Sequence, residues 1–226
     1  MIKALFTDID NTILDFNKCE LEAIKPVLAY YHIPATDENI NLYSSINLNH
    51  WKMLERKEIT REECITKRWD AFFKNFNIKV NPQDINDMYF SNLKNGGYLM
   101  EDAIPFLEGI KGLGLPIYAL TNGATIVQKS RLQKSGIIKY IDKIYISEEI
   151  GLTKPDPAFF NYVLHDNNLT SDEVIMLGDS LSSDIAGALN AQIKAIWLDL
   201  KRLNTKGEYL IVNDLKMALE AIKKEI

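Results

Sequence analysis

Residues 2–9 (IKALFTDI) form a short apolar run rich in strand formers, closed by an acidic, asparagine-containing turn at Asp10 and Asn11. The pattern predicts a buried strand whose C-terminal end carries carboxylates. From Asp15 to about Asn95 the character changes: polar stretches are broken by apolar residues at helical spacing, such as Leu21, Ile24, Leu28 and Tyr31. Pro26 is expected to kink that helix. Thr60, with Glu63 three residues later, predicts a capping box at the start of a helix carrying Cys64, Arg68, Phe72 and Phe73. Asn95-Gly96-Gly97 is the clearest breaker in the first half and marks the return to a core.

Beyond it the pattern alternates. Helices are expected over 104–113, 125–134, 157–166, 183–191 and 215–224, and strands over 116–120, 143–146, 173–177 and 194–198. Strands alternating with helices imply βαβ units and a parallel sheet. No internal repeat interrupts this pattern, which removes solenoids. In an open parallel sheet ligands bind beyond the carboxyl ends of the strands, so the residues just after each strand carry the search for chemistry.

Composition narrows the classes. The 226 residues are 46% hydrophobic and 25% charged, enough apolar material for a proper core and unlike a disordered chain. Lysine plus arginine number 26 against 31 aspartate plus glutamate, a formal net charge of −5, which speaks against a general nucleic-acid binder. An anionic substrate would therefore need a local cationic site, and a metal ion enters the picture. Two cysteines, Cys19 and Cys64, are too few for a disulfide framework. No signal-peptide pattern or membrane-length apolar run occurs, and a cytoplasmic protein, most simply a monomer, is expected.

Four strand ends carry polar clusters. After the first comes Asp8-Ile9-Asp10-Asn11-Thr12, either an acidic turn or a nucleophile and an acid/base sharing one substrate. After the second comes Thr121-Asn122-Gly123, a helix-capping turn or a cradle for an oxyanion. After the third, two prolines stiffen the chain around Lys154 in Lys154-Pro155-Asp156-Pro157. After the fourth comes Gly178-Asp179-Ser180-Leu181-Ser182-Ser183-Asp184; a cap explains one of its aspartates but not readily both, and hard oxygen ligands on a loop suit Mg2+.

In order and at strand ends, these four clusters resemble the motifs of the haloacid dehalogenase-like (HAD) phosphatase superfamily. The resemblance covers the core from Met1 to about Leu198 and includes Asp156, Pro157 and Phe160 after the lysine. It implies an α/β fold: a Rossmann-like, parallel-sheet HAD core over residues 1–14 and 96–226, with an inserted all-α helical cap domain over 15–95. It further implies that Asp8 attacks phosphorus to form an aspartyl-phosphate, and that Asp10 protonates the leaving alcohol and then activates water. Thr121, Asn122, Gly123 and Lys154 would hold the phosphoryl oxygens. Mg2+ would be held by Asp8, the backbone carbonyl of Asp10, Asp179 and Asp184, the last directly or through water. Aspartate at position 10 favours phosphate chemistry over dehalogenation, since the superfamily's dehalogenases differ there and need no metal.

Substrate choice is expected to lie in the cap. Residues Ile46-Asn47, His50-Trp51, Glu55, Glu58-Ile59-Thr60 and Arg68, with Leu14-Asp15-Phe16, resemble the branch that includes bacterial pyrimidine 5′-nucleotidases. Phe16 or Trp51 would then stack on a base, and Asn47 or Arg68 would hydrogen-bond its edge or the sugar. Helix packing within the cap is the commoner role for residues such as Trp51, Phe72 and Phe73. The implied partner is a small phosphorylated metabolite, a nucleoside monophosphate first and a sugar phosphate or phosphoglycolate second, with no membrane or nucleic-acid polymer. A phosphatase or phosphomutase for phosphoglycolate or sugar phosphates is the alternative enzymatic reading, and a phosphate-binding module without turnover is the non-enzymatic one. One departure stands out: Gln192 occupies a turn where the superfamily often has glycine, and a positive φ there would cost roughly 1 kcal/mol.

Overall fold

The computed structural model describes residues 1–226. The chain runs β1 (Ala4–Thr7), α1 (Phe16–Tyr30), α2 (Asp37–Glu55), α3 (Arg61–Phe73), α4 (Pro82–Leu93), α5 (Ala103–Gly112) and β2 (Ile117–Thr121). It continues through α6 (Thr125–Lys134), β3 (Lys143–Ile146), α7 (Ser147–Ile150), α8 (Pro157–Asp166) and β4 (Val174–Gly178). It closes with α9 (Ala186–Asn190), β5 (Lys194–Leu198), β6 (Leu210–Val212) and α10 (Leu215–Lys223). Two compact units result: Met1–Asp15 with Gly97–Ile226, and Phe16–Gly96.

The first unit is built on a six-stranded sheet in the order β3-β2-β1-β4-β5-β6, with every neighbouring pair parallel. β1 and β4 are buried along their whole length, which is why they read as unbroken apolar runs rather than alternating ones. Alternate residues serve opposite faces. Leu5, Ile117, Ile175 and Ile196 pack with Phe106 and Ile110 of α5 and Ala218 and Ile222 of α10. Phe6, Leu120, Met176 and Trp197 pack with Phe159, Phe160 and Val163 of α8 and Ala188 of α9. The chain leaves β1 toward β2 and β3 and later returns on the other side of β1 to form β4. The carboxyl ends of β1 and β4 therefore flank the crevice where a doubly wound sheet binds ligands.

The second unit is four helices. Thr60 caps α3 through the expected box: its hydroxyl accepts from the Glu63 backbone N–H at 3.2 Å, and Glu63 accepts from the Thr60 N–H at 2.9 Å. Pro26 does not end α1, which continues to Tyr30; the proline is exposed, so water can serve the carbonyl that loses its partner. The interior is aromatic, with Tyr43 stacked on Trp69 at 4.9 Å between ring centroids and Phe72 and Tyr89 edge-on to Tyr43. Cys19 and Cys64 are buried and unbridged. No helix of the chain is long and apolar enough to cross a membrane.

Three local features depart from the sequence pattern. β6 is a three-residue edge strand with Leu210 exposed, too short for a period-two signal. The single turn α7 is too short for a helical one. Residues 183–191, expected as one helix, form a π-type turn over Leu181–Ile185 followed by α9.

Gln192 has φ +59°. It closes α9 in a Schellman arrangement, its own N–H donating to Leu189 O at 2.9 Å and the Ile193 N–H to Ala188 O at 2.8 Å. That position favours glycine, because a Cβ in the left-handed region meets the neighbouring carbonyl. Gln192→Gly is expected to stabilise the protein by about 1 kcal/mol, seen as a higher urea midpoint at unchanged m. An unchanged or lower midpoint would show that the turn carries no such strain.

Candidate functional site

Asp8 follows β1 directly, and its backbone N–H still donates to Leu177 O at 2.9 Å, so the sheet fixes where its carboxylate begins. The chain then turns sharply: the N–H groups of Ile13 and Leu14 both donate to Ile9 O, and Asn11 adopts φ 57°, which asparagine tolerates better than most residues. Thr12 Oγ1 donates to Asp8 Oδ2 at 3.4 Å.

Asp179 follows β4, its carbonyl held by the Trp197 indole N–H at 2.9 Å. Asp184 comes back to the same place through the π-type turn, in which the Ile185 N–H reaches Ser180 O at 3.1 Å. Ser180 Oγ accepts from the Ser183 N–H at 3.2 Å, and Asp184 Oδ2 accepts from the Ser180 N–H at 3.1 Å. These side-chain bonds cap the turn, alongside a backbone bond from the Asp184 N–H to Ser180 O at 3.0 Å. The close return also requires Gly178, since a Cβ there would lie 2.4 Å from Asp184 Oδ2. Carboxylate oxygens of Asp8, Asp179 and Asp184 thus lie within 4.8 Å of one another.

Lys154 enters from the segment after α7 and is buried. Its ammonium donates to Asp8 Oδ1 at 2.6 Å, Asp184 Oδ1 at 2.6 Å and Leu120 O at 2.8 Å, which accounts for all three of its protons. Asn122 fixes the lysine's backbone: its Nδ2 donates to Lys154 O at 2.8 Å and its Oδ1 accepts from the Lys154 N–H at 3.0 Å. The side chain expected to face an oxyanion is therefore bound to the Lys154 backbone instead. Thr121, buried at the end of β2, accepts from the Gly123 N–H at 3.0 Å.

Asp10 points to α6, where Arg131 Nη1 donates to its Oδ1 and Gln128 Nε2 donates to its Oδ2 at 2.6 Å. Sequence reading did not single out either partner. Their only signal is their i,i+3 spacing on the helix that follows Thr121-Asn122-Gly123.

The electrostatics describe a cluster with too much negative charge. Burial lifts Asp8 to about 7, with Lys154 opposing and Asp184 and Asp10 adding to the rise. Burial, then Asp8 and Asp184, lifts Asp179 well above the ordinary carboxylate range. Burial works against the charge on Lys154, but Asp184 and Asp8 outweigh it and hold the amine above its usual value. Three carboxylates and one ammonium leave a formal charge of −2. A hard divalent cation on this all-oxygen donor set would neutralise it, so the residues present fit a metal site.

The four cap candidates all lie in the second unit. Phe16 begins α1 and Trp51 lies on α2; both are half-buried, with the Arg61 guanidinium 5.7 Å from the Trp51 ring centroid. Asn47 and Arg68, expected to reach a base edge or sugar, instead face the interior of the unit. Arg68 donates to Asn47 Oδ1 at 2.7 Å and to Asn86 Oδ1 at 2.8 Å, and Asn47 donates to Glu20 Oε1 at 2.6 Å. Ser44 completes the network on Glu20 Oε2 at 2.5 Å. Polar residues at helical spacing carry no sign of which face they occupy until the helices pack, and Glu20 and Asn86 went unnoticed for that reason.

A doubly wound parallel sheet with an aspartate after each of its two central strands, and a buried lysine joining the first of them to a third aspartate in the turn that follows, defines a family of hydrolases. The chain belongs to it: the sequence model of the haloacid dehalogenase-like hydrolase family matches residues 5–198. Among its relatives, pyrimidine 5′-nucleotidase PynA of Streptococcus pneumoniae is 31% identical over 86% of this chain and 83% of its own. Pyrimidine 5′-nucleotidase YjjG of Escherichia coli is 28% identical over 86% of this chain and 85% of its own. The HAD-hydrolase YfnB of Bacillus subtilis is 29% identical over 87% and 84%. The crystal structure of YfnB bound to magnesium superposes with TM-score 0.92 at 26% identity, covering 98% of this chain and 99% of that one.

A carboxyl whose folded pKa is raised binds a proton that the unfolded chain has already released, so its contribution to stability falls as pH rises from its unfolded to its folded value. Glu63 and Glu173, held at about 2 by their lysine partners and capping bonds, have finished titrating below that window. The metal-free protein is expected to lose stability from about pH 5 to about pH 8, and millimolar Mg2+ to flatten the slope, read from urea midpoints. A slope that Mg2+ leaves unchanged would place cation binding away from Asp8 and Asp179.

Proposed function

We propose that the protein is a Mg2+-dependent phosphomonoester hydrolase that works through an aspartyl-phosphate on Asp8, with pyrimidine nucleoside 5′-monophosphates as its preferred substrates. The observation that carries this reading is the buried Lys154 ammonium bridging Asp8 and Asp184 within a three-carboxylate cluster at the ends of β1 and β4. The side chains of Asp8, Asp179 and Asp184 and the Asp10 carbonyl would hold Mg2+. When bound, the ion supplies positive charge that lets a phosphate dianion approach the carboxylates and stabilises charge on the transferring phosphoryl group.

Asp8 attacks phosphorus while the bond to the ester oxygen breaks. The electron pair leaves with that oxygen, and the Asp10 carboxyl supplies its proton. Asp10, now a carboxylate, takes a proton from water as the water oxygen attacks the aspartyl-phosphate, which frees phosphate and restores Asp8. Lys154 orients Asp8 and offsets phosphoryl charge, and the Thr121 hydroxyl holds a phosphoryl oxygen, while the Gly123 N–H, expected from the sequence to do the same, donates to Thr121 Oγ1 instead. Asn122 contributes by holding the backbone of Lys154.

The similarity to two pyrimidine 5′-nucleotidases over more than four-fifths of each chain supports the substrate class. Phe16 and Trp51, the two half-buried aromatic candidates, are assigned to the substrate's ring. Asn47 and Arg68 are assigned to the cap interior.

Phosphate release is expected from UMP, dUMP, dTMP and CMP in preference to AMP, glucose 6-phosphate and phosphoglycolate, and to stop on chelation. Asp8→Asn should lower turnover by at least about 10³-fold. Activity that persists after exhaustive EDTA dialysis would remove the metal from the reading, and turnover in Asp8→Asn would remove the nucleophile. A preference for sugar phosphates would leave the hydrolase in place and overturn the nucleotide assignment.

A further inference from the structure

Asp10 lies outside the cluster held by Lys154 and has partners of its own. Arg131 has no exposed side-chain surface, whereas Asp10 keeps 27% of its own. A fully buried guanidinium is costly unless its charge is met, and its carboxylate partner here is Asp10. The contact is not the guanidinium's alone. Gln128, also buried, lies one turn earlier on the same face of α6 and ties three groups together.

The amide of Gln128 has a single consistent orientation. Its Oε1 accepts from Arg131 Nη1 at 3.1 Å, so its Nε2 faces the other way and donates to Asp10 Oδ2 at 2.6 Å and to Thr121 Oγ1 at 2.7 Å. Thr121 Oγ1 accepts a second bond from the Gly123 N–H at 3.0 Å. Both lone pairs of that hydroxyl are thereby occupied, and its own proton is left to donate. A threonine that must donate to a phosphoryl oxygen is set in that role by two bonds it accepts. Gly123 makes the arrangement possible, because a Cβ there would lie 2.4 Å from Gln128 Nε2.

We infer that Gln128 and Arg131 are positioning residues that hold the acid/base Asp10 and the phosphate-binding Thr121 as one unit. Neither is assigned a contact with the phosphoryl group or the ester oxygen; both act through Asp10 and Thr121. Arg131 and Gln128 fix the two Asp10 oxygens from one side, and Gln128 transmits that register to the hydroxyl that meets the phosphoryl group. The inference rests on the phosphomonoesterase reading above and deepens it.

The test uses leaving groups, because only the departing oxygen distinguishes a misplaced acid from a weakened site. The ratio kcat/KM covers steps through aspartyl-phosphate formation, during which a nucleoside alkoxide needs a proton and p-nitrophenolate does not. Arg131→Met is expected to lower kcat/KM for a pyrimidine nucleoside 5′-monophosphate by about 10²-fold or more, and for p-nitrophenyl phosphate by less than about 5-fold. Asp10→Asn should show the same split. In the Asp10→Asn background, adding Arg131→Met should cost less than about 5-fold further, and equally on both substrates, since what is left of the arginine's effect runs through Gln128 to Thr121.

Gln128→Leu should lower both substrates, because it also frees Thr121, while keeping a larger loss on the nucleotide. Arg131→Lys, which keeps the charge but not the fork, should fall between wild type and Arg131→Met and carries the test if the methionine variant does not fold. Equal losses on the two substrates from Arg131→Met alone, or a further nucleotide-selective loss in the Asp10→Asn background, would overturn the inference and leave the phosphatase reading standing. A wild-type protein that hydrolyses neither phosphate would overturn both.

Discussion

Burying an ammonium group is costly unless every proton finds an acceptor and the charge finds a counterion, and Lys154 meets both conditions at once. Two of its protons go to the carboxylates of Asp8 and Asp184 and the third to the Leu120 carbonyl at the end of β2. One cation thus ties together β1, β2 and the turn that follows β4. Without it Asp8, Asp179 and Asp184 would face one another with no positive charge among them, in surroundings that already push Asp8 and Asp179 toward protonation. Removing the lysine would leave buried charges uncompensated, a larger loss than the attraction itself is worth.

The sheet supplies what the lysine cannot. Parallel strands end together, and the reversal of strand order between β1 and β4 leaves room at their carboxyl ends for side chains to converge. Convergence then depends on small exceptions to regular structure. Gly178 lets Asp184 approach, the π-type turn swings it inward, and left-handed Asn11 sends the chain away after Asp10. Asn122 replaces a missing strand ladder with a two-bond side-chain link to the Lys154 backbone.

The helical unit solves a similar problem with different chemistry. Glu20, Asn47, Arg68 and Asn86 place polar atoms in an interior otherwise filled by Tyr43, Trp69, Phe72 and Tyr89. Burial raises Glu20 while Ser44, Asn47 and Arg68 pull it back. Such a network is tolerable only when its members are hydrogen-bonded, and it constrains how the four helices can pack. The polar side chains that looked available for recognition, Asn47 and Arg68, thus hold the unit together, whereas Phe16 and Trp51 are half-buried.

By itself the sequence determined the alternation of strands and helices after Gly97, because a period of two or an unbroken apolar run is a local property. It also determined the order of Asp8, Thr121, Lys154 and Asp179 at successive strand ends, and the capping box at Thr60, where donor and acceptor are three residues apart. Gln192 stood out only through the resemblance, as a departure from a frequent glycine, and the structure supplied its left-handed φ. Only the tertiary structure decided which polar groups pair over long separations. The link from Asp10 to Gln128 and Arg131 spans more than a hundred residues, and that from Glu20 to Asn47 crosses between helices. No local pattern encodes such pairs: their energy comes from excluding water around groups that meet only after the chain has folded.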